Sequence, residues 1–218
     1  MPESQPRFTA DQVCKACKGR MEAGCPDTQA RGVSTDTRTI QSQQMFIALI
    51  GDRYDAHNFV PQAFKIGAPI VVVEDGRCPG NVPPGTTVVA VENTTQALMD
   101  LAAWHRNRLR GKVIAVTGSC GKSTVKTMLG DILSCTGRCS VAKKSFNNNI
   151  GVSLSLLDTR VEDDFVVLEL GTNHFGEIDE LAQIARPHAG IITCIGECHL
   201  EGLNDREGVR EAKGELIP

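Results

Sequence analysis

The chain has 218 residues, 41% of them hydrophobic, enough for one large core or two small ones. Its 23 basic and 26 acidic residues leave a formal net charge of -3, which gives no reason to expect a nucleic-acid partner. No apolar run approaches the ~20 residues of a membrane span, and the start MPESQPRFTA lacks the basic and apolar regions of a signal peptide, so a cytoplasmic protein is expected.

Residues 8 to 19 fit an opening helix with Thr9 as its cap. Gly32 to Arg38 is polar and hydroxyl-rich, as at a strand edge and turn. Met45 to Ile50 reads as a buried strand, and Gly51 to His57 as the loop after it. Phe59 to Ile66 fits a short helix that Gly67 ends. Pro69 to Glu74 and Thr87 to Val91 are two further strands, separated by the Pro and Gly of residues 76 to 85. Asn93 or Thr94 begins a helix reaching about Arg110, with Ala97, Leu98, Leu101, Ala102 and Leu109 on its apolar side. Arg106, Arg108, Arg110 and Lys112 read as its solvated C-terminus. A domain boundary is expected near Gly111, dividing the chain into residues 1–110 and 111–218.

Beyond Gly111 the pattern is strand 113–117, a glycine loop and a helix from Lys122 to Cys135. A connection at Ser140 to Lys143 leads into the polar run Ser145 to Gly151, and Ser153 to Leu157 is helical. Then come strand Phe165 to Leu170, helix Ile178 to Ala185, strand Gly190 to Ile195 and a helix from Val209 onward. Alternation of this kind predicts an α/β fold whose sheet is mainly parallel and covered by helices.

Nine cysteines is an odd number, which excludes a complete disulfide framework and suits reduced thiols. Cys14, Cys17 and Cys25, with Cys78 as a conceivable fourth, could offer thiolates to zinc, although only Cys14 and Cys17 are closely spaced. Cys194, Cys198 and His199 form another small cluster, without a fourth ligand.

Val113 to Thr124, VIAVTGSCGKST, carries the strongest chemical signal. Gly118 and Gly121 let the backbone turn tightly and aim amide hydrogens at an anion, and the following helix N-terminus adds a favourable field. Lys122 would neutralise phosphate and Ser123 would ligate magnesium. The segment is not the full eight-residue phosphate-loop pattern, because Val116 stands at its first glycine. Glu169 ends a strand, at the sheet edge where ligands bind in such folds, and can hold magnesium directly or through water. His199 also follows a strand. Lys213, by spacing alone, passes as a solvated lysine. Asn147, Asn148 and Asn149 precede an Ile-Gly pair; their amides could hold a sugar, a phosphate or a polar ligand, and a plain turn is an equal reading.

Read together, GVSTDTRTIQSQQMFIALIGDRYDAHNF from Gly32, VTGSCGKSTVK from Val116, FNNNIGVSLSLL from Phe146, VVLELGTNHFGEI from Val166, RPHAGIIT from Arg186 and HLEGLNDREGVREAKGEL from His199 resemble the Mur ligases of peptidoglycan synthesis. Within that family they resemble the branch that joins D-alanyl-D-alanine to UDP-N-acetylmuramoyl-tripeptide through an acyl phosphate, using ATP and Mg2+. The resemblance implies a UDP-sugar-binding domain at 1–110 and the first part of an ATP-binding central domain at 111–218. The rest of that domain and a third domain are not in this sequence, so a truncated, monomeric form without turnover of its own is expected. It also implies ATP contacts from Gly118, Ser119, Cys120, Gly121, Lys122, Ser123 and Thr124, and a nucleotide-sugar region at Ser34, Thr35, Asp36, Thr37 and Arg38. Asn147 and Asn148 match residues facing the substrate. Ser123 and Glu169 match ligands of one magnesium and His199 of a second, which Lys213, as a carbamate, helps organise.

Four departures from the family pattern stand out. Ser123 replaces a Thr, Ala56 a Gly and Cys194 an Asn, and Leu203-Asn204-Asp205 replaces a Phe-Gly-Ser turn. Two other functions remain open from the residues: a non-catalytic nucleotide-sugar-binding module, and a phosphate-loop ATPase or kinase unrelated to cell walls. The ligase that adds the third peptide residue is the nearest enzymatic alternative.

Overall fold

The computed structural model describes residues 5–143 and 146–217; Ser145 of the predicted polar run lies outside the described residues. The chain divides into two compact units, residues 1–104 and 105–218.

In the first unit, β1 (Arg7–Thr9) leads into α1 (Ala10–Cys17), followed by β2 (Arg20–Ala23), β3 (Gln29–Arg31), β4 (Val33–Ser34) and β5 (Met45–Ile47). A single 3-10 turn, Ala56–Phe59, precedes α2 (Val60–Ile66), then β6 (Ile70–Glu74), β7 (Thr87–Val91) and α3 (Thr94–Arg106). Five strands form a sheet in the order β2-β7-β6-β5-β4, parallel except where β2 meets β7. The apolar runs of β5, β6 and β7 are buried on both faces, as parallel strands require.

The opening helix starts at Ala10, because Phe8 is buried in β1, which pairs with β3. Thr9 caps it as expected: its Oγ1 accepts from the Gln12 N–H at 3.2 Å while Gln12 Oε1 accepts from the Thr9 N–H at 3.1 Å. The strand at Met45 ends at Ile47, short of the expected Ile50, which is exposed. Gly67 ends α2 in the left-handed conformation.

The second unit consists of β8 (Lys112–Thr117), α4 (Lys122–Ser134), β9 (Cys139–Val141), α5 (Asn149–Asp158), β10 (Phe165–Glu169), α6 (Glu177–Ala185), β11 (Ala189–Ile192), α7 (Leu200–Leu203) and α8 (Arg206–Gly214). Its four strands are all parallel, in the order β11-β8-β10-β9. Glu169 lies opposite Val116 and Ile192 opposite Thr117. The three adjacent strands β11, β8 and β10 therefore end together, and the loops leaving them share one carboxyl edge.

Several expectations needed correction: the strand at Gly190 runs Ala189–Ile192 rather than to Ile195, the helix at Ser153 spans Asn149–Asp158, and the long helix ends at Arg106, short of Arg110. The connection at Ser140 is the edge strand β9, short and only half-buried. The last helix starts at Arg206, where the Asp205 carboxylate accepts from the Gly208 N–H at 2.9 Å. Arg106 is buried: its guanidinium donates to the carbonyls of Ala185 at 2.6 Å and Arg186 at 2.7 Å, at the end of α6. A cation at that position answers the carbonyls a helix leaves open at its C-terminus.

A buried histidine clips the first unit. The Glu74 N–H donates to His57 Nε2 at 2.9 Å, so the ring proton sits on Nδ1 and is donated to Asp55 Oδ1 at 2.6 Å. Asp55 also accepts from the His57 backbone N–H and pairs with Arg77. Burial opposes ionisation of Asp55, but the His57 backbone and ring and the Arg77 guanidinium outweigh it and hold the carboxyl at about 2. A carboxyl lowered in the folded state stabilises above its unfolded value and loses that contribution as pH falls through the folded one. Asp55→Asn should cost at most about 2 kcal/mol at neutral pH, and the gap should close progressively between about pH 5 and pH 1. Urea unfolding followed by circular dichroism across that range checks it; an equal deficit at both ends would contradict the assignment.

Candidate functional site

β8 carries the chain into a loop that glycine makes possible. Gly118 has φ +142, and a Cβ there would overlap Thr193 Oγ1. Gly121, at φ +78, opens α4, and no side chain caps that helix. Its first amides are therefore left for a ligand.

The segment after β11 braces the loop. The Ser119 N–H donates to the Cys194 carbonyl at 3.0 Å, and Thr193 Oγ1 donates to the Cys120 carbonyl at 2.5 Å. Ser119 Oγ lies 2.9 Å from both the N–H and the carbonyl of Gly196. The Ser119 side chain thus holds the loop in place. Cys120 Sγ is 3.3 Å from Cys194 Sγ. The hydrogen bond between them lowers the Cys194 thiol and raises that of Cys120. Lys122 Nζ folds back onto the Gly118 carbonyl at 2.7 Å, while Ser123 and Thr124 are exposed on the first turn of α4.

Glu169 is 2% exposed at the end of β10. Its Oε2 accepts from Ser123 Oγ at 2.8 Å and faces Lys126 Nζ at 3.1 Å, and its Oε1 accepts from Asn147 Nδ2 at 3.2 Å. Lys126 was not foreseen. Its signal was its position three residues after Ser123, one helical turn on, where both side chains reach the same carboxylate. Asn148 caps α5, accepting from the Gly151 N–H at 2.9 Å. The asparagine run therefore divides its work, Asn148 starting a helix and Asn147 orienting Glu169.

A cavity of about 480 Å³ opens beside the loop, and Lys122, Asn147, Asn148, His199 and Lys213 all line it. His199 is exposed at φ +54, at the start of α7. Lys213 is 1% exposed, which overturns its reading as a solvated lysine. Burial lowers its pKa and the nearby Lys122 charge adds to this, against the opposing influence of Cys198 and Cys194. α8 fixes it there: Val209 and Ala212 pack with Leu203, and Glu215 just beyond accepts from the N–H groups of Gly176 and Asp179 at the start of α6. Asn204 takes φ +65 and ψ -66, and the Asp205 N–H donates to the Leu203 carbonyl at 2.8 Å, so Leu203-Asn204-Asp205 forms a tight γ-turn, a strained conformation.

Ser34, Thr35, Asp36, Thr37 and Arg38 lie in the first unit, at and after β4. Arg38 Nη2 pairs with Asp36 Oδ2 at 2.7 Å, Thr37 is buried and donates to Gln62 Oε1 at 3.3 Å, and Ser34 Oγ bonds Asp36. Among the described residues no group of three or more His, Cys, Asp or Glu side chains is arranged to hold a metal ion. The third thiol near the glycine loop, Cys198, donates to Ser119 Oγ at 3.2 Å.

The second unit thus brings a glycine loop, a buried carboxylate and two lysines to the carboxyl edge of a parallel α/β sheet. The family profile described as the Mur ligase middle domain matches residues 116–218. The UDP-N-acetylmuramoyl-tripeptide–D-alanyl-D-alanine ligase of Bacillus subtilis is 42% identical over 210 residues, covering 96% of this chain and 46% of that relative. A crystal structure of MurF from Acinetobacter baumannii superposes with a TM-score of 0.88 at 37% identity, covering 98% of this chain and 46% of the other. The MurF ligase of Thermotoga maritima, in complex with ADP, gives a TM-score of 0.75 at 29% identity, covering 86% and 43%. The chain belongs to the Mur ligase family. It spans about half the length of the curated relatives it matches.

Removing Lys126 strands a buried charge on Glu169. Lys126→Met should destabilise the second unit by about 3–5 kcal/mol, and Glu169→Gln added to it should recover part of that loss. Denaturant unfolding of the single and double variants checks this; a loss under about 1 kcal/mol would show that Lys126 does not hold the carboxylate.

Proposed function

We propose that this chain is the nucleotide- and UDP-sugar-binding portion of an ATP-dependent amide ligase. The ligase joins D-alanyl-D-alanine to UDP-N-acetylmuramoyl-tripeptide in the cytoplasm, during synthesis of the peptidoglycan precursor. The observation that carries the reading is the single cavity shared by Lys122, His199 and Lys213, next to the Ser123–Glu169 pair. No helix among the described residues is long and apolar enough to cross a membrane.

In this reading residues 111–218 hold ATP. The loop amides from Gly118 to Thr124 surround its phosphates, and Lys122 leaves the Gly118 carbonyl to neutralise the phosphoryl oxygens. The γ-phosphoryl group passes to the terminal carboxylate of the tripeptide. The amine of D-alanyl-D-alanine then attacks the acyl phosphate, an amide forms and phosphate leaves. Residues 1–110 bind the UDP-sugar end through Ser34, Thr35, Asp36, Thr37 and Arg38, while Asn147 and Asn148 face the peptide end.

Ser123 and Glu169 present two hard oxygens 2.8 Å apart, the donor type magnesium prefers; Lys126 Nζ lies 3.1 Å from that carboxylate oxygen and would yield it to the ion. His199 and Lys213 would serve a second ion, Lys213 as a carbamate formed with carbon dioxide. Bound magnesium would withdraw charge from the phosphoryl oxygens and favour the transition state. Burial of Lys213 favours the neutral amine that carbon dioxide requires.

Equilibrium titration tests the reading. The chain should bind ATP with magnesium, and Lys122→Ala should weaken binding by about tenfold or more, as expected for loss of a charged contact. UDP-N-acetylmuramoyl-tripeptide should bind without ATP, and this should survive Lys122→Ala. Sugar-nucleotide binding with no ATP binding would favour the non-catalytic module instead. Separately, 13C-labelled bicarbonate should give a carbamate carbon resonance that Lys213→Arg abolishes; a spectrum identical in the two proteins would remove that role from Lys213.

A further inference from the structure

Three thiols converge on the glycine loop, and the proposed function uses only the backbone of one. Cys120 lies inside the loop, with its Sγ 3.3 Å from that of Cys194, two residues past β11. Cys120 is exposed and Cys194 half-buried, so a small reagent in solution can reach them. The two backbones are already held together by the Ser119 N–H on the Cys194 carbonyl and Thr193 Oγ1 on the Cys120 carbonyl. Sulfurs in a disulfide stand ~2.0 Å apart, so these two are within about 1.3 Å of bonding distance.

We infer that Cys120 and Cys194 form an oxidisable pair whose reagent is a low-molecular-weight disulfide, and that joining them switches off the phosphate loop. The switching rests on the loop being the nucleotide site. The chemistry is two thiol–disulfide exchanges. Cys194 as thiolate attacks one sulfur of the reagent, a mixed disulfide forms and the first small thiol leaves. Cys120 as thiolate then attacks the Cys194 sulfur, the Cys120–Cys194 bond forms and the second small thiol leaves. Two electrons pass from the protein pair to the reagent, and the two thiol protons end on the released small thiols.

The consequence follows from where the bond lies. Ser119 is already tied through its amide and its hydroxyl. A covalent tie at Cys120, the next residue, stops the loop rotating its amides onto a phosphate. The unmodified loop has hydrogen bonds there that can yield; the oxidised one does not.

The full chain, treated with glutathione disulfide and digested without reduction, should yield a peptide pair joined through Cys120 and Cys194. Its affinity for ATP should fall about tenfold, the cost of one charge-assisted contact, and dithiothreitol should restore it. Cys194→Ser should form no such pair and keep its ATP affinity in both states. Mapping that finds Cys120 or Cys194 only as glutathione adducts or bonded elsewhere overturns the inference. A mapped bond with unchanged ATP affinity overturns the switch. A reduced chain that does not bind ATP at all overturns the nucleotide reading, and the peptide map then still decides whether the two thiols join.

Discussion

The second unit is organised around one buried carboxylate. Glu169 ends β10 almost without solvent, and three groups from two segments converge on it: Ser123 and Lys126 from α4, and Asn147 from the turn before α5. A charge in that position is tolerable only when paired and hydrogen-bonded. Satisfying it fixes the rotation of α4, and with it the loop that α4 closes. The geometry of the phosphate loop is therefore set as much from β10 as from its own glycines.

A second constraint acts from the opposite side. Thr193, Cys194 and Gly196, on the far flank of β8, hold Ser119 and Cys120 by their backbone and side-chain oxygens. The loop is thus clamped between two neighbours of its own strand. The same clamp brings two thiols into contact, so the feature that orders the loop also exposes it to oxidation.

Much of this was legible in the residues. Long apolar runs such as Ile70–Glu74 and Phe165–Glu169 are too regular to be anything but buried strands, and each was found within a residue. The glycine loop announced itself through GSCGKST after a strand. Short elements were missed for a physical reason: Arg20–Ala23, Gln29–Arg31 and Cys139–Val141 are three or four residues long, too short to carry a period, and owe their form to pairing with distant partners. Arg106 resembled a solvated charge and Lys126 carried no signal of its own, because only the tertiary fold reveals the helix carbonyls and the carboxylate that receive them. Lys213 differs from its charged neighbours only in facing inward, which helical spacing alone did not single out.

The central claim is that the turn after β8 receives the phosphates of a nucleotide. A crystal structure of this chain soaked with a non-hydrolysable ATP analogue and magnesium would examine it most directly. The account predicts the terminal phosphates seated against the backbone amides of residues 120–122, with Lys122 Nζ swung off the Gly118 carbonyl onto a phosphoryl oxygen. Density for the analogue at any other place, with the lysine still folded back on its own loop, would contradict it.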